Sequence, residues 1–426
     1  MSKSKIVAAL DVGSCKISTL IGQLNEGGDK INVVGASSVP SMGVRKGQIV
    51  NIEEAADAIV KSVEAAERMA GFSISKILVS VGGAHISSQN SHGVVAVAEP
   101  EGEIVKEDVK RVTEAARAIS LPSSREILHV IPRTYSVDSQ EGVADPIGMS
   151  GVRLEVETHI ITASTTAIKN LAKCASEVGA DIEAMVFSGI SSAEAVLTDT
   201  EKELGVVLVD VGGGTTSIIV FIEGAPSYTA VLPVGAKNVT NDLAIGLRLS
   251  LEGAEKLKVV LSDKLKQKPS LDEDKEDEID LSTLGVYEET KKISKKTIVE
   301  GIIRPRLNEI FGMVGEEIRR SGFAGLTPSG IVLTGGGAFT AGAVESCRRS
   351  LSLPVRIGIP DRVSGLVDDI LNPSFAAGIG LLIYGSRNFD LQTKSSSFSN
   401  GKSSGGKIPI KGLLEKIGKF AKSFLP

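Results

Sequence analysis

Two acidic turns in the sequence combine the residue types that bind a phosphorylated ligand. Asp11 follows the apolar run of residues 6–10, and Asp210 follows a similar run over residues 206–209. Glycines after each acid let backbone N–H groups approach a phosphate, and nearby hydroxyl side chains add donors. We therefore predict one phosphate-binding turn in each half of the chain. The predicted residues are Gly13, Ser14 and Lys16 in the first turn and Gly212, Gly213, Gly214, Thr215 and Thr216 in the second.

Asp11 and Asp210 have a different predicted role, because carboxylates repel phosphate. Mg²⁺ takes oxygen ligands, keeps several waters and is usually held by one or two carboxylates together with substrate phosphates. The two aspartates are therefore predicted to hold a hydrated Mg²⁺ and are candidate catalytic residues. Acid and glycine together also mark ordinary hairpin turns, so one copy alone would leave both interpretations open. Two copies, each after an apolar strand, favour a nucleotide held between similar halves.

A third glycine turn follows the apolar strand predicted for residues 331–334. Bare backbone at such a turn is suited to packing against a base or ribose. The chain has no Gly-x-x-x-x-Gly-Lys-Ser/Thr P-loop, and its glycine clusters do not complete the dinucleotide fingerprint Gly-x-Gly-x-x-Gly. The predicted residues of this turn are Gly335, Gly336, Gly337 and Ala338.

Composition limits the possible functions. The chain has 426 residues, enough for two or more domains, and 42% are hydrophobic, as expected for a folded body. Aromatic residues make up 4% and the formal net charge is −5, which argues against nucleic-acid binding. Three cysteines and four histidines lack metal-ligand spacing. No signal peptide or spanning helix is predicted, so we expect a cytosolic protein.

The chain alternates strands and helices, which predicts an α/β fold with two similar halves. A helix is predicted after Asn51, with Gly71 as its stop signal. Residues 85–161 carry strand signals of their own around a helix near residues 108–119, and we interpret them as an inserted domain. The predicted strands of this insert are residues 127–130, 134–137 and 155–161.

An acidic segment covers residues 267–280. A solvated loop that repels itself is the preferred interpretation, and a binding site for a basic partner is the alternative.

The C-terminal residues predict a membrane-binding helix on a tether. Residues 393–407 hold six serines and three glycines, which is typical of a flexible linker. Beyond them, an apolar face flanked by lysines is typical of an interfacial helix on an anionic membrane, with docking to a protein as the alternative. The apolar positions are Ile410, Leu413, Leu414, Ile417, Phe420, Phe424 and Leu425. The flanking lysines are Lys411, Lys416, Lys419 and Lys422.

The three turns resemble the phosphate and adenosine motifs of the superfamily that contains actin, heat-shock chaperones and hexokinase. Residues 163–197 and 360–384 resemble its two connecting segments. Within that superfamily, residues 82–93, residues 234–244 and the tethered C-terminal helix resemble the FtsA family of bacterial cell-division proteins. The resemblance covers essentially the whole chain. The turns are common to the superfamily, whereas the insert, the 234–244 segment and the tail are specific to the family.

The resemblance implies an actin-like ATPase fold with an inserted subdomain and a C-terminal amphipathic helix. It implies ATP and Mg²⁺ in the cleft, self-association into filaments, and anchoring of the tubulin-like protein FtsZ at the inner face of the cytoplasmic membrane. It also implies contacts with later division proteins. The implied layout is 1–84 with 162–204 as the first core subdomain, 85–161 as the self-interaction insert, 205–225 with 305–386 as the second core subdomain, 226–304 as the upper, FtsZ-binding subdomain, 387–407 as a linker and 408–426 as the membrane helix.

Individual residues also follow from the resemblance. Glu255 and Lys258 match positions that face adenosine in relatives. Lys295, Arg304 and Arg306 are candidate contacts for the FtsZ C-terminal tail, although a solvated basic face is the alternative. Ser188 occupies the position where catalytic relatives have a Glu or Gln that orients water, and serine is no general base without help. We therefore expect slow or absent ATP hydrolysis. A small-molecule kinase of the same superfamily is the alternative function.

Overall fold

A computed structural model describes residues 5–24, 30–98, 102–264, 278–281, 292–366 and 369–397. The chain divides into two units, Met1–Ser386 and Arg387–Pro426. The elements that position the candidate site all lie in the first unit. Among the described residues, no helix is long and apolar enough to cross a membrane.

Strands and helices alternate along the described chain. The strands are β1 (Lys5–Val12), β2 (Lys16–Leu24), β3 (Ile31–Pro40), β4 (Val44–Arg45), β5 (Gln48–Ile49), β6 (Lys76–Val81), β7 (Ser87–Ala96), β8 (Arg125–Val137), β9 (Gln140–Val143), β10 (Arg153–Ser164), β11 (Asp181–Phe187), β12 (Val206–Val211), β13 (Thr216–Ile222), β14 (Ala225–Leu232), β15 (Glu278–Asp280), β16 (Lys292–Ser294), β17 (Ile331–Thr334), β18 (Val355–Ile357) and β19 (Val363–Gly365). The α-helices are α1 (Ile52–Ala70), α2 (Lys106–Arg117), α3 (Thr165–Ser176), α4 (Ser188–Val196), α5 (Asp199–Leu204), α6 (Ala236–Leu247), α7 (Leu251–Lys264), α8 (Lys295–Ile298), α9 (Arg304–Arg320), α10 (Ala343–Leu351) and α11 (Ala376–Ser397).

Two sheets share one strand topology over five strands, and the first sheet has β19 as an additional strand beside β3. Their strand orders are β11-β6-β1-β2-β3-β19 and β14-β13-β12-β17-β18. In each sheet an antiparallel meander of consecutive strands, β1 to β3 or β12 to β14, is extended by a parallel strand, β6 beside β1 or β17 beside β12. The predicted α/β fold with two similar halves is therefore confirmed.

The predicted acidic turns are the tips of equivalent hairpins. Asp11 is in β1 and Asp210 is in β12, and each lies opposite a serine of the following strand. Gly13 and Gly212 each donate their N–H to the backbone carbonyl three residues on, at 3.0 and 2.9 Å. The same short pattern of apolar strand, acid and glycine therefore produces the same local structure twice.

The strands that carry the acids are held in an apolar core. Residues 206–209 of β12 are completely buried, because the five-stranded sheet is covered on both faces. One face packs against α9 through Leu307, Phe311 and Val314. In the first half, α1 packs on β2 and β3. Its predicted start is confirmed by the Asn51 side chain, which accepts from the Glu54 N–H, and its predicted stop by Gly71, which has a φ of 81°.

The insert forms a sheet and a core of its own. The strand order is β7-β10-β8-β9, and α2 packs against it through Val112 and Ala116. The predicted division of residues 127–137 into two strands is wrong, since β8 runs unbroken from Arg125 to Val137. Pro132 of β8 has no backbone N–H to donate. It lies opposite Thr158, beside a register shift in the pairing with β10 at Glu157/Thr158, and β8 continues through it.

Some predictions concern residues outside the described ones. The acidic segment is described only for Glu278–Asp280, which pair as β15 with β16. The predicted membrane helix, residues 408–426, lies entirely outside the described residues. The subdomain boundaries remain predictions. β14 extends the second sheet past residue 225 to Leu232, and α11 includes residues 387–397 of the predicted linker, a stretch with no Gly or Pro.

Candidate functional site

A cavity of about 460 Å³ lies between the two duplicated sheets. It is lined by the tips of the two acidic hairpins, by α4, α6 and α7, and by the third glycine turn. The structure therefore brings together residues that are far apart in sequence. The predicted residues that line the cavity are Asp11, Gly13, Ser14, Lys16, Ser188, Asp210, Gly212, Gly213, Thr215, Glu255, Lys258, Gly335, Gly336 and Gly337.

The two aspartates are held in equivalent ways. Ser80 Oγ donates to Asp11 Oδ1 at 2.6 Å, and Ser192 Oγ donates to Asp210 Oδ2 at 2.6 Å. Ser80 Oγ also accepts the N–H of Val12 at 3.1 Å. These contacts fix each carboxylate and leave other lone pairs available for water or a cation. The sequence contained a signal for Ser80, because it is the one polar residue within residues 77–81, whereas nothing marked Ser192.

The electrostatics of this pair favour a cation. Burial raises the pKa of Asp11, against the lowering effects of its Ser80 hydrogen bond and of Lys16. Burial also raises the pKa of Asp210 to about 6, its Ser192 hydrogen bond lowers it, and the charge of Asp11 adds to the increase. Two partly desolvated carboxylates that repel each other are stabilised in the ionised form by a divalent cation.

The hairpin tips touch across the cleft. A Cβ on Gly213 would lie 2.2 Å from Cys15 Sγ, and one on Gly214 would lie 2.8 Å from Ser14 Oγ. Lys237 Nζ, from the start of α6, donates to the Ser14 carbonyl at 2.8 Å. The glycines are therefore required for contact between the tips as well as for approach of a ligand.

The helix after the second meander starts on the second hairpin. The N–H groups of Ala236 and Lys237 donate to the carbonyls of Gly212 and Gly213 at 2.9 and 2.8 Å. A Cβ on Gly235 would lie 2.5 Å from Gly212 O, so a larger residue would push α6 off the hairpin. The sequence pattern identified this segment only as a family marker, and the structure shows that it supports the turn.

The third glycine turn is placed against Asp210. Gly335 has a φ of 83°, and a Cβ there would lie 2.2 Å from Asp210 Oδ1. Only glycine fits this conformation and this spacing. Gly335 N–H donates to Pro373 O at 3.2 Å, which ties the turn to the segment before α11. The cavity wall here also includes Asn372 and Ser374, which were not predicted.

Lys16 joins the first hairpin to that segment. Its Nζ donates to Ser374 Oγ at 3.0 Å and lies 3.1 Å from the centroid of the Phe375 ring. Burial lowers the pKa of Lys16 to about 8, and the charge of Asp11 partly opposes this. A cationic amine at the edge of the cavity is a point-charge donor for phosphate oxygens.

Glu255 and Lys258 meet on the wall that α7 provides. Lys258 Nζ donates to Glu255 Oε2 at 2.7 Å and to Thr240 Oγ1 at 2.9 Å. Lys258 is buried and its amine is paired with these two groups, whereas about half of the Glu255 side chain is exposed. The carboxylate is therefore accessible from the cavity and can accept hydrogen bonds from a ligand.

Three predicted cofactor residues do not line the cavity. Thr216 is completely buried, and its hydroxyl donates to Val234 O at 2.9 Å. Gly214 contacts the first hairpin, and Ala338 is buried beneath the third turn. Ser188 does line the cavity, at the start of α4.

The predicted partner arginines are occupied within the fold. Arg306 makes a two-pronged ion pair with Asp242 at 2.6 and 2.9 Å. Arg304 contacts Glu300 at 2.7 Å and Glu345 at 2.9 Å. Lys295 begins α8. The positive charge at Arg304 and Arg306 is therefore largely balanced by carboxylates of the same chain.

The duplicated sheets around one cleft define the actin-like class of proteins. A solved chain of the PilM–PilN type IV pilus biogenesis complex has a TM-score of 0.61 with 16% identity, over 89% of this chain and 98% of that chain. MreB 5 of Spiroplasma citri bound to AMPPNP has a TM-score of 0.50 with 14% identity, over 93% of this chain and 99% of that chain.

Sequence comparisons identify the family within that class. Residues 83–162 match the family model of the SHS2 domain inserted in FtsA, and residues 207–380 match that of cell division protein FtsA. Cell division protein FtsA of Pseudomonas aeruginosa is 39% identical over 98% of this chain and 97% of its own length. The chain belongs to the FtsA family of cell-division proteins. The matches support a role in cell division rather than the alternative function of a small-molecule kinase.

Proposed function

We propose that the cleft binds ATP with Mg²⁺ and that the nucleotide closes the two halves into a state that self-associates. The observation that carries the proposal is the pair of serine-held aspartates, Asp11 and Asp210, facing one cavity between glycine hairpins. The cavity volume is within the usual range for a small-molecule site. The nucleotide bound to MreB 5 in a similar fold supports the same assignment.

The donor set fits a hydrated Mg²⁺. Among the described residues, no group of three or more His, Cys, Asp or Glu side chains could hold a metal ion. Two carboxylates would therefore need water and phosphate oxygens to complete the coordination, which is the arrangement that Mg²⁺ prefers. Asp11 and Asp210 would orient the waters. When bound, the ion would neutralise charge on the phosphates.

The phosphates would be held by the chain's own donors. Ser14, Lys16 and Thr215 line the cavity, and their hydroxyl and amine groups would donate to the phosphates. Hairpin N–H groups other than those of Gly13 and Gly212, which are paired within the hairpins, would add backbone donors. Gly335 and its neighbours would pack against the base or ribose, and Glu255 with Lys258 would face the adenosine. This allocation accounts for why three glycine turns and two lysines, Lys16 and Lys258, meet at the same cleft.

ATP serves chiefly as a ligand in this proposal. Ser188 lines the cavity at the start of α4. Its hydroxyl is neither the carboxylate of a Glu nor the amide of a Gln that would orient the attacking water. We expect turnover well below about 1 s⁻¹, the lower end for typical enzymes. Phosphate release by the purified chain with Mg²⁺ would measure it, and Ser188→Glu should raise the rate by supplying a base. Turnover like that of a metabolic kinase would refute the proposal.

We also propose that the chain anchors FtsZ filaments to the inner face of the cytoplasmic membrane at the division site. The membrane contact would be the amphipathic helix at residues 408–426, and FtsZ would bind the upper subdomain at residues 226–304. The inserted subdomain would contribute to self-association and to contacts with other division proteins. The family membership and the apolar and lysine pattern of the tail support this assignment.

An FtsZ-tail peptide would compete with carboxylates already paired to the predicted arginines. Replacing Arg304 and Arg306 together with alanine should lower the affinity of such a peptide about two- to fivefold, the usual effect of losing an exposed ion pair. Fluorescence anisotropy of a labelled peptide would measure it at low salt, with Arg68→Ala on α1 as the control. Unchanged affinity would reject Arg304 and Arg306 as the docking site.

A further inference from the structure

The inserted sheet is hydrogen-bonded to the second half of the cleft. β14 is the edge strand of the second sheet, and β7, β8 and β10 lie against it. Ser88 Oγ donates to Thr229 O at 2.9 Å, and Thr229 N–H donates to Ser88 Oγ at 3.0 Å. Arg133 Nε donates to Ser227 Oγ at 3.1 Å. Polar groups on this edge are therefore satisfied by the insert.

A neutral histidine lies at the centre of this contact. Asn90 Nδ2 donates to Ser227 O at 3.2 Å, which turns the Asn90 oxygen toward His159 Nδ1, 2.7 Å away. The proton of His159 is therefore on Nδ1, and Nε2 accepts from Thr229 Oγ1 at 2.9 Å. Burial lowers the pKa of His159 to about 3, so the ring stays neutral near pH 7.

A second neutral histidine connects the same sheet to the first half. His129 is on β8, paired with Ile161 of β10, and its Nε2 accepts the N–H of Phe187 at 2.9 Å. Phe187 ends β11 and directly precedes α4. Burial lowers the pKa of His129 to about 4, and its ring packs edge-on against Tyr384. Without this acceptor the Phe187 N–H would be buried and unpaired.

The element that His129 supports reaches the candidate metal site. α4 begins with Ser188, which lines the cavity, and includes Ser192, which holds the Asp210 carboxylate. On the other side, β14 is the neighbour of β13, which is the second strand of the second acidic hairpin. One continuous sheet therefore contacts β11 of the first half through Phe187 and β14 of the second half through Thr229, and a change in the separation of the halves must strain or break one of these contacts.

We propose that the inserted sheet is a strut between the two halves of the cleft, with His129 and His159 as positioning residues for α4 and β14. Ser88, Asn90 and Thr229 complete the attachment. The strut would set the separation of the halves at which a nucleotide fits, and nucleotide occupancy would in turn be transmitted to the insert. The expected effect of the strut on nucleotide affinity rests on the proposed nucleotide binding. Its effect on the separation of the two halves does not.

Thr229→Val tests the strut with little change in volume, because it removes only the hydroxyl that donates to His159. In the full chain we expect a rise of about two- to tenfold in the Kd for Mg–ATP, the effect of one lost hydrogen bond. Amide hydrogen exchange of the ligand-free variant should quicken in β11 as well as in β14, whereas α4 packs on β13 and could respond without the strut. Thr200→Val, on the exposed surface of α5, is the matched control. It should change neither the Kd for Mg–ATP nor the hydrogen exchange of these elements.

His129 is tested by a pair of substitutions. His129→Leu removes the acceptor for Phe187 N–H and should raise the Kd, whereas His129→Gln supplies a replacement acceptor and should restore most of the affinity. Equal effects of the two would overturn the positioning role of His129. Faster exchange confined to β7 and β14 in Thr229→Val, with an unchanged Kd, would overturn the strut. If the wild-type chain binds no nucleotide, the proposed function fails, and exchange in β11 alone decides on the strut.

Discussion

Asp210→Asn is expected to weaken Mg²⁺-dependent ATP binding by about 10- to 100-fold, the usual loss when a group that orients metal-bound ligands is removed. The amide keeps the size of the side chain and can still accept from Ser192, but it carries no negative charge. In the wild-type chain this charge is held 2.6 Å from Ser192 Oγ and against Gly335. Affinity measured without Mg²⁺ should change much less, because the phosphate-binding hairpins remain.

The stability of the variant separates lost binding from unfolding. The pKa of Asp210 is raised from 3.8 to about 6, so its ionisation disfavours the folded state as pH rises through that interval. At pH 7.5 the wild-type chain carries this cost in full and the amide does not. The ligand-free Tm of Asp210→Asn should therefore equal or exceed that of the wild type.

Calorimetric titration with ATP, with and without Mg²⁺, is the appropriate measurement. Asp181→Asn is the matched control, because Asp181 is exposed at the start of β11, away from the cavity lining. Wild-type affinity in Asp210→Asn at saturating Mg²⁺ would rule out the proposed metal role. A loss of affinity that is equal with and without Mg²⁺ would indicate a damaged cleft instead.

The sequence predicted the parts of the site whose structure is local. An apolar run followed by an acid and glycine determines a hairpin tip, and both tips form as predicted. Thr216 is predicted to add a hydroxyl donor for phosphate, but strand side chains alternate in direction, and its hydroxyl donates to Val234 O instead. The pattern predicts the hairpin itself but overestimates how many of its side chains face the cavity.

The parts that the sequence did not predict depend on tertiary contacts. Asn372 and Ser374 reach the cavity only because Gly335 N–H bonds to Pro373 O. Ser192 supports Asp210 from a helix whose sequence has no distinguishing pattern. Arg306 and Arg304, two of the predicted partner contacts, pair with Asp242 of α6 and Glu345 of α10. Such pairings arise from the packing of segments that are distant in the chain, so the sequence around each residue does not indicate them.

Removing residues 407–426 is expected to abolish sedimentation of the chain with anionic liposomes. As a helix, the segment would place its apolar residues on one face for the acyl boundary and its lysines toward anionic headgroups, and each lysine near such a surface would contribute about 1 kcal/mol. One helix of this length binds reversibly, so filaments that present several copies should bind far more strongly. The deletion should therefore have its largest effect under conditions that favour self-association.

Two point substitutions separate the apolar from the electrostatic contribution. Ile417→Glu places a charge on the apolar face and should reduce binding nearly as much as the deletion, whereas Glu415→Gln on the polar face should leave binding intact. Because the lysines act through surface potential, high salt should weaken the wild-type interaction, and neutral liposomes should bind less of the chain. Continued sedimentation of the truncated chain with anionic liposomes would show that another surface binds the membrane. In that case the helix would instead be a docking element for a protein, since its apolar face would still require a partner.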